Sequence, residues 1–138
     1  MALQWTVRKV AAEENIPDAT FILGLSEDDE GAGKYLIFQI KLGESTAQDR
    51  RLGFDTYCIV DEEHRVAYGG VEQVALDGRS LRLNFSDRTA FMLDMEQREL
   101  ELLLDIDERE IDDMWNELNR VLRFGNPDQF PQRFDCSK

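Results

Sequence analysis

Apolar residues change their spacing along this chain, and each change marks an element. In VEQVALDGRSLRLNF, residues 71–85, Val74 and Leu76 alternate with polar residues before Asp77-Gly78, and Leu81, Leu83 and Phe85 alternate after it. Period two is the spacing of one strand face, so two strands joined by a turn are predicted. An even number of turn residues keeps both apolar sets on one face, which predicts a two- or four-residue loop. RELELLLD returns to period two, with Leu100, Leu102 and Leu104 inward and Glu99 and Glu101 outward. From Ile111 the spacing lengthens. Met114, Trp115, Leu118, Val121 and Leu122 follow at three and four, one face of a helix of about four turns, and Gly125 with Pro127 stops it. Trp115 is expected to be buried between this helix and the sheet.

Earlier in the chain, LQWTVRKV, TFILGL and KYLIFQIK read as three strands, bounded by IPDA, SEDDEGAG and GESTAQDRRLG. FDTYCIV and RVAYGG flank DEEH as a hairpin with a four-residue loop, which sets Tyr57 across from Tyr68. Gly69-Gly70 suits a positive-φ turn or a bulge. SDRTAFMLD breaks the alternation, and Ser86 as N-cap of a short helix would set Ala90, Phe91 and Leu93 against the sheet. The fold class expected is α+β: a largely antiparallel sheet of about six to eight strands, a C-terminal amphipathic helix over 107–124 packed on one face, and one short additional helix near 87–93. A length of 138 residues fits a single domain, 1–138, with 126–138 as a C-terminal tail.

Composition narrows the classes. An apolar share of 42% with 33% charged residues supports a packed core rather than a disordered chain. The 29 acids against 16 basic residues leave a net charge of −13, which repels phosphate backbones and anionic membrane surfaces, so neither nucleic acid nor a membrane is an expected partner. MALQWTVRKVAAEEN has no basic stretch leading into an apolar run, and no apolar segment approaches the ~18 residues of a membrane span. A soluble, unexported, cytoplasmic protein is expected. Cys58 and Cys136 stand far apart, with no CxxC pairing and no histidine at metal spacing, which fits reduced thiols better than a disulfide or zinc.

The chemistry-bearing candidate is LDIDEREIDDMWNEL, residues 104–118, with seven carboxylates in fifteen positions. Asp107 with Glu110 has the sense of a capping box, and Arg120 and Arg123 suit the other end of the helix dipole. As a calcium loop the stretch fails, because its fifth position is Arg109 and its sixth is Glu110 where glycine must turn. EDDEGAGKY fails as a phosphate loop: Asp28 stands at the first glycine position and Tyr35 follows Lys34. His64 falls in the predicted hairpin loop, near Cys58 on the neighbouring strand, and reads as a solvated turn residue. Paired carboxylates for glycoside hydrolysis must face each other across a pocket, and only exposed runs are present. No enzyme, cofactor or metal site is expected.

Docking remains. Asp94 to Glu117 holds eleven acids against Arg98 and Arg109, more than capping can use. The candidate partner-binding residues are Asp105, Glu108, Asp112, Asp113 and Glu117, with Asp61, Glu62 and Glu63 of the predicted hairpin loop as a second group. A third acidic loop spans Glu27 to Glu30.

The succession FDTYCIV, AYGGVEQVAL, SLRLNFSDRTAFML and LELLLDIDEREIDDMWNELNRVL resembles the immunity protein 10 family over roughly residues 54–122. The resemblance implies a small α+β domain, without catalysis, that binds and neutralises a cognate protein toxin. An acidic surface is what a basic nuclease would require of such a partner. The first 50 residues and the tail NPDQFPQRFDCSK lie outside the resemblance. Two classes therefore stand: an immunity-type inhibitor acting through an acidic surface, and a small acidic scaffold or regulatory subunit. Self-association as a homodimer is left open.

Overall fold

The computed structural model describes residues 3–28, 30 and 32–137. Its described strands are β1 (Leu3–Val7), β2 (Lys9–Asn15), β3 (Thr20–Ser26), β4 (Tyr35–Lys41), β5 (Cys58–Asp61), β6 (Val66–Tyr68), β7 (Val71–Asp77), β8 (Ser80–Phe85), β9 (Glu99–Leu104) and β10 (Arg133–Ser137). The helices are α1 (Ala47–Leu52), α2 (Asp87–Met92) and α3 (Glu108–Leu122). The architecture is α+β, as expected, but the strands form two five-stranded sheets instead of one, in the orders β1-β9-β8-β7-β10 and β2-β3-β4-β5-β6. Pairing is mostly antiparallel, with β1 on β9 and β10 on β7 parallel. The long helix is not C-terminal, because β10 follows it.

The division into two sheets begins at Arg8. LQWTVRKV is not one strand: β1 ends at the fully buried Val7, and Arg8 N–H donates to Ser26 O at 2.9 Å, so β2 starts in the second sheet. β10 escapes a periodicity search because Phe134 is its one large apolar residue. It lies on β7 with Phe134 opposite Val74 and Cys136 opposite Leu76.

The inner faces hold one apolar core. Leu81, Leu83, Phe85, Leu100 and Leu102 of the first sheet share it with Phe21, Leu23, Phe38 and Ile59 of the second. Each such side chain contributes about 1.5–3 kcal/mol on burial. The β7–β8 loop is the two-residue Gly78-Arg79, with Asp77 opposite Ser80 and Gly78 at φ 60°. Gly69 and Gly70, both at positive φ, make the turn from β6 to β7, and the bulge lies beyond them at Glu72, where the ladder shifts register between Val71 and Gln73. A Cβ on Gly70 would collide with Thr89 Oγ1.

Four local expectations need correction. Cys58, not Tyr57, stands opposite Tyr68. Tyr57 precedes the strand and is fully buried, because its hydroxyl bridges two distant backbone groups. Phe91 is 81% exposed: α2 is six residues long and turns only one stripe inward, carrying Thr89 and Ala90, with Leu93 just after it. Trp115 is half-buried, its ring meeting Phe134 edge-on at 5.8 Å, because β10 supplies only a rim of cover there. GESTAQDRRLG contains α1, capped reciprocally by Thr46 and Asp49.

α3 itself matches its pattern, with Ile111, Met114, Leu118, Val121 and Leu122 buried. It reaches both sheets. Arg120 lies over Phe21 of β3 at 4.2 Å, and Arg123 lies over Phe134 of β10 at 4.3 Å.

Candidate docking surface

The connection from β9 into α3 is held from three sides, which fixes the acidic segment in place. Asp105 N–H donates to Val7 O at 2.8 Å, and Leu104 N–H donates to Arg79 O at 2.8 Å. The Arg79 guanidinium returns from the β7–β8 turn to Leu104 O at 3.1 Å and Ile106 O at 2.5 Å. Asp107 then caps the helix by accepting from Glu110 N–H at 2.8 Å.

Beyond the cap, helical geometry sorts the carboxylates. A turn of about 100° per residue puts Glu108 and Asp112 on the flank next to Trp115, and Asp113 and Glu117 on the opposite flank next to Met114. Arg109 lies between them on the outward face. Glu108, Asp112 and Asp113 are exposed. Glu108 with Asp112, and Asp113 with Glu117, are like charges four apart, an arrangement that costs a helix about 0.2–0.5 kcal/mol per pair.

The flanking acids are engaged. Asp105 is exposed and pairs with Arg8 at 3.8 Å. Glu117 is half-buried; its Oε2 has no hydrogen-bond partner, and Arg120 stands 3.9 Å away, close enough for an ion pair alone. Arg120 also binds Glu14 of β2 at 3.3 Å, so Glu117 is drawn toward the second sheet.

The second acidic group is split, since the loop runs over residues 62–65 instead of DEEH: Asp61 ends β5 opposite Leu36, and Glu62 and Glu63 lie on the β5–β6 loop. Asp61 is only 6% exposed. Its Oδ1 accepts from the N–H groups of Glu63 (3.0 Å) and Arg65 (2.9 Å), and its Oδ2 from Arg65 Nε at 2.8 Å. These bonds shape a loop in which His64 adopts φ 61°. The hydrogen bond to Asp61 holds the Arg65 guanidinium further above its already high ordinary value. Glu62 is half-buried beside Arg65 at 3.8 Å, whereas Glu63 is exposed. Arg65 also reaches Asp94 at 3.7 Å, linking this loop to the end of α2.

The two groups are not brought together. Asp61 and Glu62 border a hollow with Trp5, Leu93 and Met95, whereas Asp105 borders another with Thr6, Arg79 and Glu110. In the third acidic loop, Glu27 accepts from Lys34 N–H and Asp28 from Glu30 N–H, and Asp29 lies outside the described residues. Glu101 is also spent within the fold. Ser80 Oγ donates to it at 2.8 Å, Gln4 at 2.5 Å, and Arg82 lies at 3.5 Å, and these hold its carboxyl below the ordinary range.

Cys58, the cysteine nearest His64 in sequence, is poorly suited to act as a nucleophile. Burial raises the Cys58 thiol above its ordinary value, with only partial relief from Tyr68 across the ladder, so thiolate is disfavoured. Among the described residues no group of three or more His, Cys, Asp or Glu is arranged to hold a metal ion, and no helix is long and apolar enough to cross a membrane.

None of the curated proteins and none of the solved structures compared matches the chain. The family model described as Immunity protein 10 matches residues 6–112 of the 138. That span runs from within β1 through both sheets into the first turns of α3. It takes in the N-terminal strands that the sequence motifs had left outside the resemblance. With a match across far more than half its length, the chain belongs to the immunity protein 10 family.

Proposed function

We propose that this protein binds a cognate bacterial toxin in the cytoplasm and neutralises it by occupying the toxin's working surface, with no chemistry of its own. Membership of the immunity protein 10 family carries the reading. The net charge of −13 suggests what kind of surface is covered. A cleft that attracts phosphate is cationic, and clustered carboxylates can enter it, speed association by electrostatic steering and exclude substrate. A basic nuclease is the toxin class that suits such an inhibitor. The same charge disfavours nucleic acid and anionic membranes as direct partners.

The carboxylates divide by position and exposure. Glu108, Asp112 and Asp113 form the centre of the proposed contact, since they are exposed and lie beyond the cap. Asp105 and Glu117 border it, each with an arginine beside it. Glu62 and Glu63 form a second element, for which Asp61 acts as support by shaping their loop. The reading is tested by co-expressing the protein with the toxin encoded beside it. Restored growth and a co-purifying complex are expected; growth arrest despite abundant folded protein would overturn the proposal.

A further inference from the structure

The outer face of the second sheet carries an apolar row that toxin binding through carboxylates does not use. Ala11 stands opposite Gly24, Gly24 opposite Ile37, Ile37 opposite Val60, and Val60 opposite Val66. Directly opposed residues lie on one side of a sheet, so these five form a row across all five strands. The buried residues Phe21, Leu23, Phe38 and Ile59 alternate with them on the other side, where Arg120 of α3 covers Phe21. The outer row is open: Ala11 and Val66 are exposed, and Gly24, Ile37 and Val60 are half-buried among their neighbours. Phe54, 45% exposed, stacks on Tyr68 of this face at 4.5 Å and extends the apolar surface toward α1. A continuous open apolar face of this kind marks an interface.

Charge decides the occupant. The chain as a whole is at −13, yet this side of the strands carries Lys9, Glu13 and Lys41, the last paired with Asp49 at 3.0 Å. The strand residues on this side are thus two lysines against one glutamate, so the face itself is not acidic. Two copies of so acidic a chain repel through most of their surfaces but not through this one, whereas a cationic partner gains nothing here.

We propose that the outer face of β2–β6 is a homodimer interface, packed face to face about a two-fold axis running along the row from Ala11 to Val66. That axis lays the row on itself and sets the partner's strands antiparallel to these, within the range of aligned sheet packing at about 30°. It also places Lys9 of each copy against Glu13 of the other, because the two residues flank Ala11 on the same face at equal distance. Strands of up to seven residues at ~3.4 Å, in five rows at ~4.8 Å, give a footprint of roughly 500 Å² per copy, about 1,000 Å² in total. This is the lower end of specific interfaces, so dimerisation depends on concentration.

Sedimentation equilibrium of the full chain over about a hundredfold concentration range tests the assignment without any toxin. The mass is expected to rise from 16.0 kDa toward twice that value, and Ile37→Lys to remain at 16.0 kDa with an unchanged circular dichroism spectrum. Should Ile37→Lys fail to fold, the charge pair serves instead. Lys9→Glu and Glu13→Lys each weaken dimerisation about tenfold or more, and an equimolar mixture of the two restores it. A wild-type chain that stays monomeric throughout overturns the interface. So does a folded Ile37→Lys that keeps the doubled mass, or charge reversals that dissociate as the wild type does.

Discussion

Replacing Tyr57 by phenylalanine removes one oxygen and two hydrogen bonds that tie three parts of the chain together. The hydroxyl accepts from Val71 N–H at 2.8 Å at the start of β7 and donates to Gln129 O at 3.0 Å on the segment leading to β10. Its pKa is raised by burial above its ordinary value, so it remains a neutral donor through neutral pH. The two lost bonds are not equivalent. Val71 is 1% exposed, so its N–H is left without water, and an unsatisfied buried donor costs about 1–3 kcal/mol. Gln129 is half-buried and its carbonyl can regain water, so that bond adds only about 0.5–1.5 kcal/mol. The expected loss is roughly 2–4 kcal/mol, with little change in packing because the ring stays. Urea unfolding followed by circular dichroism measures it, with an unchanged m-value showing that the folded state is otherwise intact. A loss below about 0.5 kcal/mol would refute the reasoning, because water must then reach Val71 N–H.

Three further outcomes follow from named contacts. Trp115→Ala should cost about 1–3 kcal/mol, less than the 3–5 typical of an enclosed aromatic, and its coupling to Phe134→Ala in a double-mutant cycle should be about 0.5–1.5 kcal/mol. Asp107→Ala should destabilise the protein by about 0.5–2 kcal/mol in the same unfolding assay through loss of the α3 cap. Glu101 has a folded-state pKa lowered first by Ser80, then by Gln4 and Arg82. Its stabilisation is therefore present above the unfolded value of about 4.3 and lost as pH falls through the lower folded value. Glu101→Gln should flatten the fall of the thermal midpoint below about pH 4.3, and a wild-type slope in the variant would remove Glu101 from that account.

Elements that declare themselves locally were legible in the sequence. The β7–β8 hairpin combines period two with an Asp-Gly turn, and α3 combines a three-and-four stripe with an N-cap and a glycine stop. What escaped depends on distant partners. β10 exists because Phe134 and Cys136 find Val74 and Leu76 across more than fifty residues, and nothing in RFDCS announces it. The split of LQWTVRKV between two sheets is a tertiary choice made at Arg8. α1 was within reach, since Thr46 and Asp49 have capping-box spacing with aspartate in place of glutamate. The acidic surface was visible as composition, but its division was not. Asp61 is withdrawn by the Glu63 and Arg65 N–H groups and the Arg65 side chain, and Glu101 by Ser80 and Gln4 across the sheet.

The central claim is that exposed carboxylates of α3 meet a toxin, and Asp112 and Asp113 isolate it because neither is used as the cap. The measurement is association of the double variant Asp112→Lys with Asp113→Lys with the cognate toxin, by stopped-flow at low and at physiological salt. The double variant should stay folded, because both residues lie beyond the cap near the weak end of the dipole effect and the like-charge pairs Glu108–Asp112 and Asp113–Glu117, each costing about 0.2–0.5 kcal/mol, are relieved. Association should slow several-fold, with a flatter dependence on salt than the wild type shows. Wild-type association rates and an unchanged salt slope in the folded double variant would contradict the account.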